Sequence, residues 1–430
     1  MVQYCKQDVS LTVELHKYLM RELGKWTDAT QSILLEHNIA VICRQQEANG
    51  FKLDIPKAQV LRATLSDRMS AIEDEVQAVF PPIVEERWSE KTGKQLKDRV
   101  TVFNLASRKQ ISERLTGLGW KPDKFTEKGQ PIVDETTLEG IDIPEAKLIS
   151  EYLMMQKRVG LIDSWLKHVA DHDDRVHGAI ITNGAVTGRM THHSPNMGQV
   201  PSVSKPYGED CRKLWTVNDG NVLVGTDLAG IELRCLAHYM QDPDWTEELL
   251  NGDIHQKNAD AAGITRPQAK TLIYATLYGA GPAKIGSIVG GGASEGSEVL
   301  QNFYRNTPAL SRLMERVKKV AAKGYVPGLD GRRILVRSEH AALNSLLQGC
   351  GAIIAKQWCI EAHKEFKRQG LSVQQVAFVH DEIQVEAQRS YSETVASIMV
   401  ASARTAGEVL GFRCPVDAEA KIGNNWFDTH

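Results

Sequence analysis

Apolar positions in the first 170 residues recur mainly at helical spacing. Val9, Val13, Leu15 and Leu19 mark an amphipathic helix over 1–20. A second helix is predicted over 33–49, closed by Gly50 as its C-cap. Pro56 opens a third, long pattern that ends near Phe80, before Pro81-Pro82. Two long helices with polar outer faces and a short connection predict an antiparallel arm. The charged stretch 85–100 reads as a loop or weak hairpin. Asn104 is the expected cap of a helix over 105–118, 120–144 reads as turns, and 152–169 as helix.

From His177 onward strand patterns appear. Residues 177–181 and 222–227 read as strands, and 376–386 as a tight hairpin with His380, Asp381 and Glu382 at its tip. Asp-Glu is a poor pair for a two-residue turn, which favours Gly or Asn. Helices are predicted over 231–240, 244–250, 265–279, 306–323, 341–369 and 392–410. The segment 187–201 reads as a long irregular loop, and 290–297 as a flexible glycine-rich tip.

Composition narrows the class. A chain of 430 residues has room for more than one domain or subdomain. Its net charge of −3 gives no global field for a polyanion. Locally the balance differs: Arg312, Arg316, Lys318, Lys319, Lys323, Arg332, Arg333 and Arg337 face only Glu315 and Asp330 across most of 305–337, a basic patch suited to a phosphate backbone. No signal peptide and no membrane-length apolar run stand out. Seven scattered cysteines without a C-x-x-C pair predict reduced thiols in a cytoplasmic setting. The Gly290-Gly291-Gly292 stretch lacks the Lys-Ser/Thr of a phosphate-binding P-loop.

Three stretches carry candidate chemistry. Asp227 ends a β-branched run, where a carboxylate is costly unless paired or bound to a cation. Asp381 sits at a second strand end far away in sequence. Brought into one sheet, the two would hold a pair of divalent cations for phosphoryl transfer. Arg266, Lys270, Tyr274 and Tyr278 recur every four residues, so they lie within about 120° on one helix face. A core face would not carry the cations and a solvated basic face would not carry two tyrosines in line. The stripe suits a ligand with a phosphate end and an aromatic end. Asn344 and Gln348 share another helix face.

The segments Asp227-Leu-Ala-Gly-Ile-Glu-Leu-Arg234, Arg266 to Gly279, and Val379-His-Asp-Glu382 resemble motifs A, B and C of the family A (Pol I-like) DNA polymerases, with the bacteriophage replicative members most similar. Thr187-Gly-Arg-Met190, Pro195-Asn196 and Gln199-Val-Pro201 resemble that family's primer–template loop. Asn251 to His255, Leu329 to Arg333, Ala341 to Asn344 and Asn425-Trp426 extend the likeness over essentially the whole chain. The resemblance implies an α+β right-hand fold, with an antiparallel palm sheet and largely helical fingers and thumb. Residues 1–25 would be a remnant of the last exonuclease-domain helix, 26–175 thumb and approach to the palm, 176–250 palm, 251–323 fingers and 324–430 returning palm.

The same resemblance implies residue roles. Asp227, Asp381 and the Leu228 carbonyl would hold two magnesium ions, with manganese a possible substitute. Arg266, Lys270 and His255 would hold the triphosphate, and Lys270 and Glu382 would join the two aspartates at the catalytic centre. Tyr274 would pack on the incoming sugar and base, Tyr278 near the template position. Glu232 would close the space of a 2′-hydroxyl. Arg189, Asn344, Gln348 and His380 would contact primer or template. The expected activity is template-directed addition of deoxynucleotides to a primer in phage DNA replication, in the bacterial host cytoplasm.

Two departures shape further expectations. Tyr4 and Asp8 resemble the last motif of the 3′–5′ proofreading domain, without its earlier carboxylates. No exonuclease activity is expected of this chain alone, whether the gene is shortened or split or the chain is a truncated piece. A separate exonuclease or replisome protein would then be a partner. The short 85–100 stretch lacks the long basic thumb insertion of relatives that recruit thioredoxin, so low processivity and no thioredoxin dependence are expected. Competing readings are a single-subunit RNA polymerase, which Glu232 argues against, and a non-catalytic DNA-binding module, which the Asp227–Asp381 pair argues against.

Overall fold

The alternation Glu382-Ile383-Gln384-Val385-Glu386-Ala387 organises the larger part of the molecule. The computed structural model describes residues 2–25, 29–170 and 172–430, so Met1 and the expected boundary at 25–26 are not fully covered. Strand Glu382–Gln388 lies inside a four-stranded antiparallel sheet, ordered Val373–Val379, Glu382–Gln388, Asn221–Leu228 and Ala418–Gly423. Ile383, Val385 and Ala387 stand opposite Thr226, Val224 and Val222, and all are buried. Val224, Ile383, Val385 and Ala387 join Val395, Met399 and Ala403 of the Ser392–Val409 helix in the main core. The two-residue period sends Glu382, Gln384 and Glu386 to the other face.

That polar face is buried too, so each group needs a partner. Glu382 accepts from Trp426 Nε1 and, at 2.7 Å, from Gln384 Nε2. Gln384 Oε1 accepts from the Thr429 hydroxyl at 3.0 Å. Glu386 accepts from Asn218 N at 3.0 Å and Asn221 Nδ2 at 2.8 Å. Gly225 lies opposite Gln384, and a Cβ there would run into the Gln384 and Thr429 side chains. Trp426 also packs with Phe51 and Trp215, ring centroids 5.6 and 6.5 Å away.

Around this sheet the chain folds as one compact unit made of 1–52, 177–199 and 215–430. The Ala342–Arg368 helix is apolar nearly all round, as suits a helix packed on several sides. It meets Ala29–Asn49, Ile231–Met240, Pro308–Ala321 and Ser392–Val409. The Val2–Leu23 helix buries no side chain. Residues 179–193 form a short hairpin, Ala179–Ile181 against Thr191–His193, so the segment expected to be irregular over 187–201 contains a short strand. The expected flexible tip at 290–297 is shorter than predicted. Gly292 starts the Ala293–Asn306 helix, and Glu295 Oε2 accepts from Gly292 N at 2.9 Å.

The second unit holds 53–176 and 200–214. Its core pairs the Ile55–Val79 and Pro144–Lys167 helices. Arg68 Nε donates to Glu151 at 3.0 Å, and the Tyr152 hydroxyl to Glu73 at 2.7 Å. The expected arm of the second and third helices is therefore corrected. Ile55–Val79 pairs with Pro144–Lys167, whereas Ala29–Asn49 packs on Ala342–Arg368 in the first unit. Strands Ile83–Trp88 and Gln95–Thr101 make the predicted hairpin, largely exposed. Ser107, not Asn104, caps the Arg108–Gly117 helix; Asn104 Oδ1 instead accepts from Ala106 N at 2.8 Å, closing the preceding turn. No helix among the described residues is long and apolar enough to cross a membrane.

Candidate active site

The sheet register brings the two aspartates together. Asp227 stands opposite Glu382 on one neighbouring strand and Glu419 on the other, while Asp381 occupies the turn just before Glu382. Val379 pairs with Glu382, so the two loop residues are His380 and Asp381, not Asp381 and Glu382. His380 adopts a φ of 58°. That left-handed conformation costs a non-glycine residue roughly 1–2 kcal/mol and must be held by its surroundings. Leu228 N donates to the Asp381 carbonyl at 3.0 Å, and Ala229 N to the Asp417 carbonyl at 2.9 Å. Main-chain bonds thus tie the end of the Asp227 strand to the turn that carries Asp381.

Electrostatics there are unfavourable without a cation. Desolvation by the surrounding protein, then repulsion from Asp381 and Glu382, push the Asp227 carboxyl up to about 7, although its tip is open to solvent. Desolvation raises the Asp381 carboxyl as well, against the favourable charge of Arg189. Glu419, absent from the sequence-based set, adds to the repulsion on Asp227. Hard oxygen donors crowded into mutual repulsion fit a small divalent cation. Glu382 is 8% exposed, its Oε1 is held by Trp426 and Gln384, and its Oε2 lies 3.4 Å from His430 Nε2. It is anchored beside Asp227, and the Leu228 side chain is buried beneath.

The Arg266–Leu277 helix presents its predicted stripe. Thr265 and Gln268 form the capping box, and Gly279 follows at a φ of 76°. Ala269, Leu272, Ile273, Thr276 and Leu277 are buried, while Arg266, Lys270 and Tyr278 are exposed and Tyr274 is half-buried. His255 lies on the neighbouring Ile254–Ala262 helix. Burial, Arg266 and Lys270 together lower its pKa, which places one imidazole beside two cations. Its Nδ1 is buried without a hydrogen-bond partner among the described residues. Two cations beside one imidazole give this corner a charge that suits an anion.

A second cluster joins four more predicted residues. The Tyr278 hydroxyl donates to Glu232 Oε1 at 2.9 Å, and Arg189 approaches the same oxygen at 3.6 Å. Gln348 is also hydrogen-bonded to Tyr278. Asn344 is half-buried one turn before Gln348. His380 feels the charges of Arg189 and Asp381, and burial lowers its pKa. His192, which sequence reasoning passed over, neighbours His380 and is pushed down to about 4 by burial.

The basic patch over 305–337 is smaller than the sequence implied. Arg332 is buried, with Asp330 at 2.7 Å and Glu36 at 2.7 Å. Arg333 covers the Tyr325 ring at 4.6 Å and donates to the Lys25 carbonyl at 2.6 Å. Charge count alone could not separate structural arginines from solvated ones. The sequence places Asp253 within the Asn251 to His255 segment of the likeness, without a role of its own. Its side chain caps the Ile254–Ala262 helix and pairs with Arg266, a role foreshadowed by its place two residues before His255.

Comparison with known proteins places the chain among DNA polymerases. The family model for DNA polymerase family A matches residues 84–428. The DNA-directed DNA polymerase of Enterobacteria phage T3 is 36% identical, covering 94% of this chain and 71% of that protein. The DNA-directed DNA polymerase of Escherichia phage T7 gives the same 36%, 94% and 71%. Among solved structures, the POL domain of Pol1 from M. smegmatis, in complex with DNA primer-template and dNTP, superposes with a TM-score of 0.79. It shares 21% identity and covers 92% of this chain and 70% of that one, a likeness of fold.

Proposed function

The chain belongs to DNA polymerase family A and is a DNA-directed DNA polymerase, and from that premise we propose that Asp227 and Asp381 are the metal-binding carboxylates with which it extends a primer on a DNA template. Polymerases of this family depend on metal ions. The reading takes these to be two magnesium ions, replaceable by manganese, held by Asp227, Asp381 and the Leu228 carbonyl. When bound, the ions supply Lewis-acid activation of the primer 3′-oxygen and neutralise charge on the phosphates.

The remaining residues bind and orient. Arg266, Lys270 and His255 hold the triphosphate of the incoming deoxynucleotide, and the two cations beside one imidazole support this. Tyr274 packs on the sugar and base. Glu232, fixed by Tyr278 and Arg189, closes the space that a 2′-hydroxyl needs. Arg189, Asn344, Gln348, His380 and Tyr278 face primer and template. Glu382, anchored by Trp426, places the turn of Asp381 and is a positioning residue. In this reading the sheet is the palm, 251–323 the fingers, and the 53–176 and 200–214 unit the thumb. The phage relatives favour phage DNA replication in a bacterial cytoplasm as the setting.

The observation that carries the reading is the pair of repelling carboxylates on adjacent strand ends. Asp381→Ala is the test. Primer extension is expected to fall by about a thousand-fold or more, because the cation site loses one of its two carboxylates. Primer–template affinity without divalent metal is expected to stay near that of the parent. Extension by the variant within about ten-fold of the parent rate would remove Asp381 from the chemistry.

A further inference from the structure

We propose that Asp253 is a positioning residue for the triphosphate corner, its single carboxylate fixing both the Arg266 guanidinium and the helix that carries His255. The inference rests on reading Arg266 and His255 as triphosphate ligands. Asp253 closes a turn that is itself pinned. Gly252 N donates to the Glu248 carbonyl at 3.1 Å, and Asp253 N donates to Glu248 Oε1 at 2.8 Å. From that anchor, Asp253 Oδ1 accepts from the main-chain N–H groups of His255 and Gln256, both at 3.1 Å. The bonds cap the Ile254–Ala262 helix and set where His255 leaves the backbone.

The other oxygen faces the Arg266–Leu277 helix. Asp253 Oδ2 accepts from Arg266 Nε at 2.6 Å. Only the Nε edge of the guanidinium is engaged, and the two terminal nitrogens have no protein partner among the described residues. A planar fork held by one edge presents its free edge in a defined direction, as two-pronged recognition of phosphate oxygens requires. The Arg266 and Asp253 side chains are 49% and 44% exposed, so as a contribution to stability the pair is worth little. Its value is geometric. The same carboxylate sets the His255 imidazole, whose Nδ1 has no hydrogen-bond partner among the described residues, and the free edge of Arg266 on one corner. An adventitious surface ion pair would not also hold the helix cap.

Asp253→Asn tests this, because the amide keeps an oxygen for the cap and loses the second acceptor for Arg266. In steady-state extension of a primed template, KM for the incoming deoxynucleotide is expected to rise about three- to ten-fold, with kcat within about two-fold. Inhibition by inorganic pyrophosphate is expected to weaken by a similar factor. On an Arg266→Ala background the same substitution is expected to change KM by less than about two-fold, since it acts through Arg266. Should Asp253→Asn melt early, Asp253→Ser carries the same test, since serine caps a helix but is too short to reach Arg266. An unchanged or lowered KM in the single variant overturns the proposal, as does a full additional rise on the Arg266→Ala background. Parent-like KM in Arg266→Ala alone would instead sink the reading of Arg266 as a triphosphate ligand.

Discussion

One hydroxyl distinguishes Tyr274 from phenylalanine, and its neighbours decide what that hydroxyl is free to do. Four residues on, the Tyr278 hydroxyl is committed to Glu232 at 2.9 Å. Tyr274 is half-buried, and burial followed by the charge of Glu232 raises its pKa, yet its hydroxyl has no protein hydrogen bond among the described residues. It is therefore available to a ligand. In the proposed geometry it replaces the contact that a missing 3′-hydroxyl would make. Tyr274→Phe is expected to reduce incorporation of dideoxynucleotides relative to deoxynucleotides by at least about ten-fold, the worth of a good hydrogen bond in a desolvated site. Competition between the two substrates during primer extension measures it. Unchanged discrimination would show that the hydroxyl points elsewhere when substrate is bound.

Between elements, the most exacting contact in the sheet-bearing unit is ionic. Lys356, 1% exposed, reaches Glu36 at 2.6 Å from the Ala342–Arg368 helix, and Arg332 reaches the same carboxylate oxygen at 2.7 Å. Asp330 completes two cations against two acids. Glu36→Gln leaves two buried cations facing one acid and is expected to cost about 3 kcal/mol. Lys356→Met keeps apolar volume and leaves Arg332 between both acids, one of them partly solvated, so its cost is expected to be below about 1.5 kcal/mol. Urea midpoints of the two variants decide, and equal losses would count against the charge balance. None of this was legible in the sequence, where Arg332 counted toward a basic patch suited to a phosphate backbone. What was legible followed local rules: the Gly50 cap, the stripe from Arg266 to Tyr278, and Asp227 at the end of an apolar run. The Ala418–Gly423 strand was missed because Ala-Glu-Ala-Lys-Ile-Gly has little β signal of its own, and its pairing comes from Asn221–Leu228. The turn was misplaced by one residue because a positive φ at His380 contradicts turn preference, and only the sheet around it enforces that conformation.

For the molecule as a whole, the same titrating groups set opposing slopes of stability against pH. His238 is 5% exposed, stacked on Phe412 at 4.6 Å, and its Nδ1 accepts from Arg413 N at 3.1 Å. Burial, with the charge of Arg413, pushes it from 6.5 down to about 4. His192 moves to about 4 as well. Between pH 6.5 and 4 the unfolded chain binds protons at these two sites that the folded chain refuses, so stability is lost as pH falls through that window. Asp227 acts in the reverse sense. Raised from 3.8 to about 7, it holds its proton in the folded state while the unfolded chain releases it, so stability falls as pH rises over that range. The lowered histidines, His238, His192, His255 and His380, outnumber the raised carboxyls of Asp227 and Asp381, and stability is expected to rise from pH 4.5 to 6.5. His238→Gln keeps an acceptor for Arg413 N but cannot take up the proton. It should flatten the rise by at most about 1.4 kcal/mol per pH unit, the limit for one proton. Divalent cation, by holding Asp227 ionised, should steepen it relative to chelator. Urea midpoints from pH 4.5 to 6.5, with magnesium and with chelator, test both effects. A slope that His238→Gln leaves untouched would mean the imidazole is not kept neutral by the fold, and a slope indifferent to magnesium would mean that the crowded carboxylates are not where the cation binds.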